Sequence, residues 1–163
     1  MVIPPLTALV PLYQLVVDIG MMNTRTIAIL NNVASFMPLT IFLYAGFIRS
    51  TVPKELEEAA KIDGASTLGI FFKIVFPLLK PITATVLIIS CVYIWNDYQF
   101  AIFFLQSEEV KTLTVAISSF FGENANNLNL VASAAIIAML PMTVLFLFLQ
   151  RFFIEGLAAG SVK

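Results

Sequence analysis

Two groups of residues in this chain have the types and spacing to do chemistry, and neither is built like a catalytic centre. The first is Glu58-Ala59-Ala60-Lys61-Ile62-Asp63-Gly64, with Ile74-Val75-Phe76-Pro77 following. Pro53 can open a helix at its first turn with Thr51 upstream as a cap. Glu55, Glu57 and Glu58 then favour the N-terminal half, where the helix dipole is positive. Leu56, Ala59, Ala60 and Asp63 recur at i, i+3, i+4, i+7 and so share a face. Ala59 and Ala60 are small enough to let another backbone approach that face. Gly64 is the expected stop, because glycine reaches the left-handed conformation without a Cβ penalty. Ser66 or Thr67 can cap a second short helix with the apolar stripe Leu68, Phe71, Phe72 and Val75, which Pro77 ends. Two short helices meeting at a glycine form a knob that can enter a cleft. Spacing alone leaves open a connecting loop packed on its own bundle.

The second group is Tyr93, Asn96 and Asp97. At 100° per residue, Thr83, Ser90, Tyr93, Asn96 and Asp97 fall in one arc and Leu87, Cys91 and Trp95 in the opposite one. One reading has Tyr93 stacking on a polyhydroxylated solute while Asn96 and Asp97 hydrogen-bond its hydroxyls. The other, preferred on position, has Asp97 capping or snorkelling at the outer surface beside Trp95 and Tyr98. Asp97 stands about 24 Å along a helix from Pro81, away from mid-membrane, where a carboxylate is costly.

Other chemistry is unsupported. There is no histidine, and the single cysteine, Cys91, sits in an apolar run as a small core residue. Cys/His metal sites, disulfide frameworks and histidine acid–base catalysis have no residues to work with, and no cofactor or metal is expected. No Gly-x4-Gly-Lys-Ser/Thr loop exists to hold nucleotide phosphates. The isolation of Asp97 and Cys91 argues against an intramembrane enzyme. A net charge of −1 without a polybasic block argues against nucleic acid and against a basic lipid-surface anchor.

The elements that must position these groups are membrane spans. The 163 residues are 60% hydrophobic and 12% charged, with mean hydropathy +0.95. Soluble domains are nearer 45–50% apolar and about 25% charged. Residues 26–48, uncharged between Arg25 and Arg49, reach about 34 Å as a helix, enough for a hydrocarbon core of about 30 Å. Residues 81–105 and 128–153 form two more spans, with Pro38 and Pro141 as internal prolines tolerated in lipid. Residues 1–17, cut by Pro4, Pro5 and Pro11, read as the second half of a membrane helix, or alternatively as an interfacial or re-entrant segment. They lack the basic start of a signal peptide. The expected fold is an all-α polytopic transmembrane bundle of about three and a half spans, with a helix–Gly–helix coupling unit at 51–80.

Basic residues orient it. Arg49, Lys54, Lys61, Lys73, Lys80, Arg151 and Lys163 fall on one side, and only Arg25 and Lys111 on the other. The knob and the C-terminus are therefore expected in the cytoplasm. Trp95, Tyr98, Phe152 and Phe153 suit the membrane interfaces. The opposite loop, 106–127, holds a moderately amphipathic stretch at 110–121 and, with Asn129 just beyond it, the cluster Asn124, Asn126, Asn127 and Asn129.

The knob resembles the EAA motif of importer-type ABC permeases, EAA-x3-G-x9-I-x-L-P. Glu58-Ala59-Ala60, Gly64, Ile74 and Pro77 match at every spacing, and Phe76 stands for the usual leucine. Ile3-Pro4, Pro11-Leu12-Tyr13, Trp95-Asn96-Asp97 and the ending Gln150-Arg151-Phe152-Phe153 through Gly156-Leu157 to Lys163 are similar to the carbohydrate-uptake branch, in its shorter maltose-type subunit. The resemblance covers essentially the whole chain. It implies a permease subunit of the bacterial cytoplasmic membrane that is not itself an ATPase. Its implied partners are an ATP-binding subunit, a second permease subunit, membrane lipid, and an extracytoplasmic solute-binding protein facing loop 106–127. By position, Glu58, Ala59, Ala60, Asp63, Gly64 and Pro77 are the implied docking residues, and the tail 156–163 is a further implied contact with the same partner. Such subunits usually have six spans, so residues 1–163 are expected to be a partial permease domain, N-terminally truncated. An amino-acid or peptide permease and a non-transporting remnant are the alternatives.

Overall fold

A computed structural model describes residues 5–124 and 126–161, with side chains described for residues 7–124 and 126–150. Among the described residues there are helices and turns and no strand. A 3-10 turn at Pro5–Ala8 leads into α1, Leu9–Asp18. Then come α2, Arg25–Thr51; α3, Lys54–Ile62; α4, Thr67–Ile70; and a π-helical turn, Phe71–Val75. The chain continues with α5, Phe76–Leu78; α6, Lys80–Trp95; α7, Gln99–Phe104; α8, Leu113–Glu123; and α9, Leu128–Ser161.

The all-α membrane architecture expected from composition is present. Two helices are long and apolar enough to cross a bilayer, α2 and the Leu128–Gln150 stretch of α9. Their apolar side chains are mostly exposed, Ile29, Val33, Phe42, Ile136 and Phe148 among them. Lipid or other membrane helices are the natural cover for such faces.

The middle span is realised differently from the uninterrupted helix expected at 81–105. The α6 helix ends at Trp95, and at about 24 Å it is short of a hydrocarbon core. It reaches span length only together with the preceding segment, Thr67–Leu78, from which it is bent by 69°. Two local causes act. Pro77 has no N–H for the carbonyl one turn back, and the turn before it opens to π geometry. At the other end the Asp97 carboxylate accepts the Phe100 N–H at 3.0 Å. That starts a new helix, α7, and stops the old one from continuing. Helical arcs drawn through Asn96 and Asp97 therefore do not apply.

The chain divides into two compact units. The first takes residues 1–35 and 93–140. Its core is Val16, Ile27, Ala101, Phe104, Leu105 and Val115, with Phe100 stacked on Phe104 at 4.3 Å. Asn23 holds it together. Its backbone is left-handed at φ 56°, a region asparagine tolerates better than most residues. Its N–H donates to the Phe104 carbonyl at 3.0 Å. Its Oδ1 accepts from the Gln106 and Ser107 amides at 2.6 and 3.0 Å. Thr24 caps α2 by accepting the Ile27 N–H. Trp95 Nε1 donates to the Ala138 carbonyl at 3.1 Å, in the turn of α9 that Pro141 loosens.

The second unit takes residues 36–92 and 141–163. Its core is Phe47, Val52, Ala60, Ile70, Val75, Leu79 and Ile82, so α3, α4 and the π-helical turn are packed onto α2 and α6. One polar clasp accompanies them. Tyr44 Oη donates to Thr83 Oγ1 at 2.7 Å, and Thr83 Oγ1 donates to the Leu79 carbonyl at 2.8 Å. The clasp ties α2 to the first turn of α6, beside the bend.

Tyr44→Phe removes the interhelical donor and keeps the ring. Interhelical hydrogen bonds in membranes are worth about 0.6 to 2 kcal/mol, and a loss of that size is expected on thermal or denaturant unfolding of the purified protein. A double-mutant cycle with Thr83→Ala should return most of it as coupling energy.

Candidate functional site

Residues 54–70 form the helix–glycine–helix knob. Its first helix begins after Pro53, which occupies the cap position in extended conformation rather than the first turn. Thr51 is the last residue of α2 and caps nothing. The end of α3 is a Schellman arrangement: the Ala65 N–H bonds the Ala60 carbonyl and the Gly64 N–H bonds the Lys61 carbonyl, both at 3.0 Å. Gly64 sits at φ +81°, with open space where a Cβ would lie. The need for glycine is thus conformational and not steric. Ser66 Oγ accepts the Gly69 N–H at 3.2 Å and caps α4 as expected.

The small-residue face does not stay together. Ala60 is buried in the second unit's core, against a cluster containing Phe47, Val52 and Leu79. Glu58, Ala59, Asp63, Gly64 and Pro77 are exposed. Adjacent residues on a helix are 100° apart, so a narrow knob packed on one side must divide such a pair. Ala60 serves as the inward contact, and the others stay accessible at the surface.

The apolar stripe expected on the second short helix is also redistributed. Ile70 and Val75 are buried, whereas Leu68 and Phe72 are 71% and 60% exposed. The π turn shifts the helical phase between Leu68 and Val75, which 3.6-residue counting does not anticipate. Ile62, at the end of α3, is 86% exposed. It was not among the expected site residues. Its signal is one apolar residue between Lys61 and Asp63, just before the glycine. Ile62 and Leu68 therefore flank the Gly64 turn as exposed apolar side chains among charged neighbours, a pattern of interface anchors with a polar rim.

The second group is placed as follows. Tyr93 is on α6 and 67% exposed. Asn96 is in the turn after α6. Asp97 is half-buried, capping α7 through Phe100, with its carbonyl accepting from Thr114 Oγ1 at 2.7 Å. The capping alternative for Asp97 matches this geometry. Asp97 also borders a cavity of about 180 Å³ within the first unit. Asn31 and Ser35, which line the same cavity, were missed because in the sequence they are only scattered polar residues, Asn31 beside Asn32, in an apolar span. Loop 106–127 contains α8, with Val115 buried. Asn127 Oδ1 accepts the Leu130 N–H at the start of α9. The tail 156–163 lies outside the residues whose side chains are described. Among the described residues no group of three or more Cys, Asp or Glu could hold a metal ion.

Residues 1–158 match the family described as binding-protein-dependent transport system inner membrane component. The chain is 72% identical over 163 residues to the melibiose/raffinose/stachyose import permease protein of Bacillus subtilis, covering 100% of this chain and 59% of that protein. It is 37% identical over 162 residues to a maltodextrin transport system permease protein of the same organism, covering 99% of this chain and 58% of that protein. Against an arabinooligosaccharides transport system permease protein of Halalkalibacterium halodurans it is 33% identical over 163 residues, covering 100% and 57%. The chain thus spans under two thirds of the length of these curated relatives.

Neighbouring alanines should respond oppositely to enlargement. Ala60→Leu overpacks the core and is expected to cost about 1–3 kcal/mol. Ala59→Leu, on the exposed face, should stay within about 0.5 kcal/mol of the parent. Unfolding of the purified variants measures both. In a Cys91→Ser background, Ala59→Cys should react with a maleimide in detergent solution and Ala60→Cys should be protected.

Proposed function

Since the chain belongs to the family of binding-protein-dependent transport system inner membrane components, we propose that it is the membrane part of an ATP-driven importer for oligosaccharides of the melibiose, raffinose and stachyose kind. The 72% identity to a permease of that description supports the solute class. Residues 1–163 act as permease domain, with 51–80 as its coupling segment. ATP is hydrolysed by a partner subunit, and this chain contributes no catalytic residue. A second permease subunit completes the pathway and a solute-binding protein delivers the sugar. The charge asymmetry supports a cytoplasmic knob and C-terminus.

The observation that carries this reading is the construction of the knob. Its tip presents Ile62, Asp63, Gly64 and Leu68 to solvent, with Glu58 and Ala59 on the exposed side of α3. Its other side, through Ala60, Ile70 and Val75, is locked into one apolar cluster with α2 and α6. A loop that merely joins two spans has no use for an exposed apolar tip. In the proposed mechanism the ATP-binding subunit receives Ile62 and Leu68 in a cleft. Closure of the nucleotide-bound dimer displaces the knob, and the shared core together with the Tyr44–Thr83 clasp passes the displacement to α2 and α6. Alternating access follows from tilting those helices.

Co-purification with the ATP-binding subunit tests the docking. Gly64→Pro cannot adopt φ +81° and should abolish capture. Ile62→Asp or Leu68→Asp, which leave the fold's buried core untouched, should each weaken capture by about tenfold or more, as loss of a central interface anchor does. Unchanged capture by all three would reject the assignment.

Loss of labelled raffinose uptake from cells lacking the subunit, and its recovery on complementation, checks the transport reading. Recovery should fail with Gly64→Pro although the protein reaches the membrane.

A further inference from the structure

The cavity beside Asp97 is lined by Asn31 and Ser35 of α2, Leu9 and Leu12 of α1, and Asp97, Gln99 and Phe100. All lie in one compact unit. Asn31 and Ser35 are four residues apart and share a helix face. They stand about 9 and 15 Å along α2 from Arg25, well inside the span. Amide and hydroxyl groups at that depth are costly unless something polar meets them. Asn31 is half-buried and Ser35 and Gln99 are exposed, so their polar groups are open to a polar occupant of the cavity. Asp97 Oδ1 takes the Phe100 N–H, but a carboxylate has about four acceptor positions, so capacity remains.

The mixture of groups selects the ligand class. Two amides and a hydroxyl donate and accept, and the carboxylate accepts. The lining has no Lys or Arg to meet an anion or the carboxylate of an amino acid. It has one carboxylate, too few hard oxygen charges for a dedicated cation site. Leu9, Leu12 and Phe100 add apolar surface next to the polar groups. Planar polar groups facing vicinal hydroxyls, with apolar side chains against C–H faces, suit a neutral, hydroxyl-rich ring.

The geometry points to this cavity as a sugar-contacting station of the translocation pathway, with Asn31, Ser35 and Gln99 as hydroxyl-binding residues and Asp97 as a shared acceptor. This rests on the importer reading above and specifies where in this chain the solute is touched. It moves the contact away from Tyr93 and Asn96, which are not among the cavity's lining residues. Asp97 then has two duties, capping α7 with one oxygen and facing the cavity with the other.

The test uses the permease assembled with its partner subunits in proteoliposomes, with labelled raffinose delivered by its binding protein at saturation. Asn31→Leu and Gln99→Leu are expected to lower raffinose accumulation by about tenfold each, the scale of one lost hydrogen bond to a desolvated partner. ATP hydrolysis stimulated by the loaded binding protein should stay within about twofold of the parent, well inside that effect. Gln99→Asn should recover most of the transport. Where a leucine variant does not assemble, Asp97→Asn replaces it. That change keeps the carbonyl oxygen that caps Phe100 and removes the charge, and the same selective loss of uptake is expected. Unchanged uptake would overturn the site, leaving the cavity as a water pocket. A parallel fall of uptake and hydrolysis would overturn it too, assigning these residues to structure or coupling. If the parent assembly hydrolyses ATP but accumulates no raffinose, the oligosaccharide reading itself fails, and that arm separates the two failures.

Discussion

One apolar cluster fastens the short helices on either side of the exposed Gly64 turn to α2 and α6, and the packing of the second unit depends on it. Ala60 is its narrowest point. It brings α3 into the cluster that holds Phe47 of α2 and Val52 just beyond it, and Ile70 and Val75 bring the second short helix to the same cluster with Leu79 and Ile82. Burial of side chains of this size is worth roughly 1.5–3 kcal/mol each. A handful of them outweighs the fraction of a kcal/mol that exposed charge pairs supply. The many charges of the knob are therefore not needed to hold it in place.

Backbone interruptions are the second theme, and polar side chains gather beside them. Pro77 comes with a π turn and a 69° bend, and the Thr83 hydroxyl adds a donor to the Leu79 carbonyl at that bend. Beyond α6, Asp97 supplies the acceptor that begins α7. In the turn loosened by Pro141, the indole of Trp95 donates to Ala138. An unpaired carbonyl in hydrocarbon is expensive, so these polar side chains mark where membrane helices depart from regular geometry. Trp95 and Asp97 thus have structural duties within a sequence motif that also suggests a solute path.

Much of the coupling segment was legible in the sequence because its signals are local. A glycine after a charged amphipathic helix implies a left-handed stop, and Gly64 is at φ +81°. A serine three residues before a glycine amide implies a cap, and Ser66 provides it. What was not legible was direction. Helical counting puts Ala59 and Ala60 on one face, but only contact with Phe47 and Val52 decides which of them turns inward. It also groups Leu68, Phe71 and Phe72 with Val75 in one stripe, of which Val75 alone is buried.

The family was legible through the resemblance carried by the spaced residues from Glu58 to Pro77, while apolar length, paired with basic residues at its ends, by itself determined a helical membrane protein and its long spans. These follow from hydropathy and short-range backbone preference, which act within a few turns of the same helix. The inward turn of Ala60 and the meeting of Asn31, Ser35, Asp97 and Gln99 around one cavity were decided only by tertiary structure. Each depends on a group far away in the chain being at hydrogen-bonding or van der Waals distance. No periodicity within a single helix encodes that.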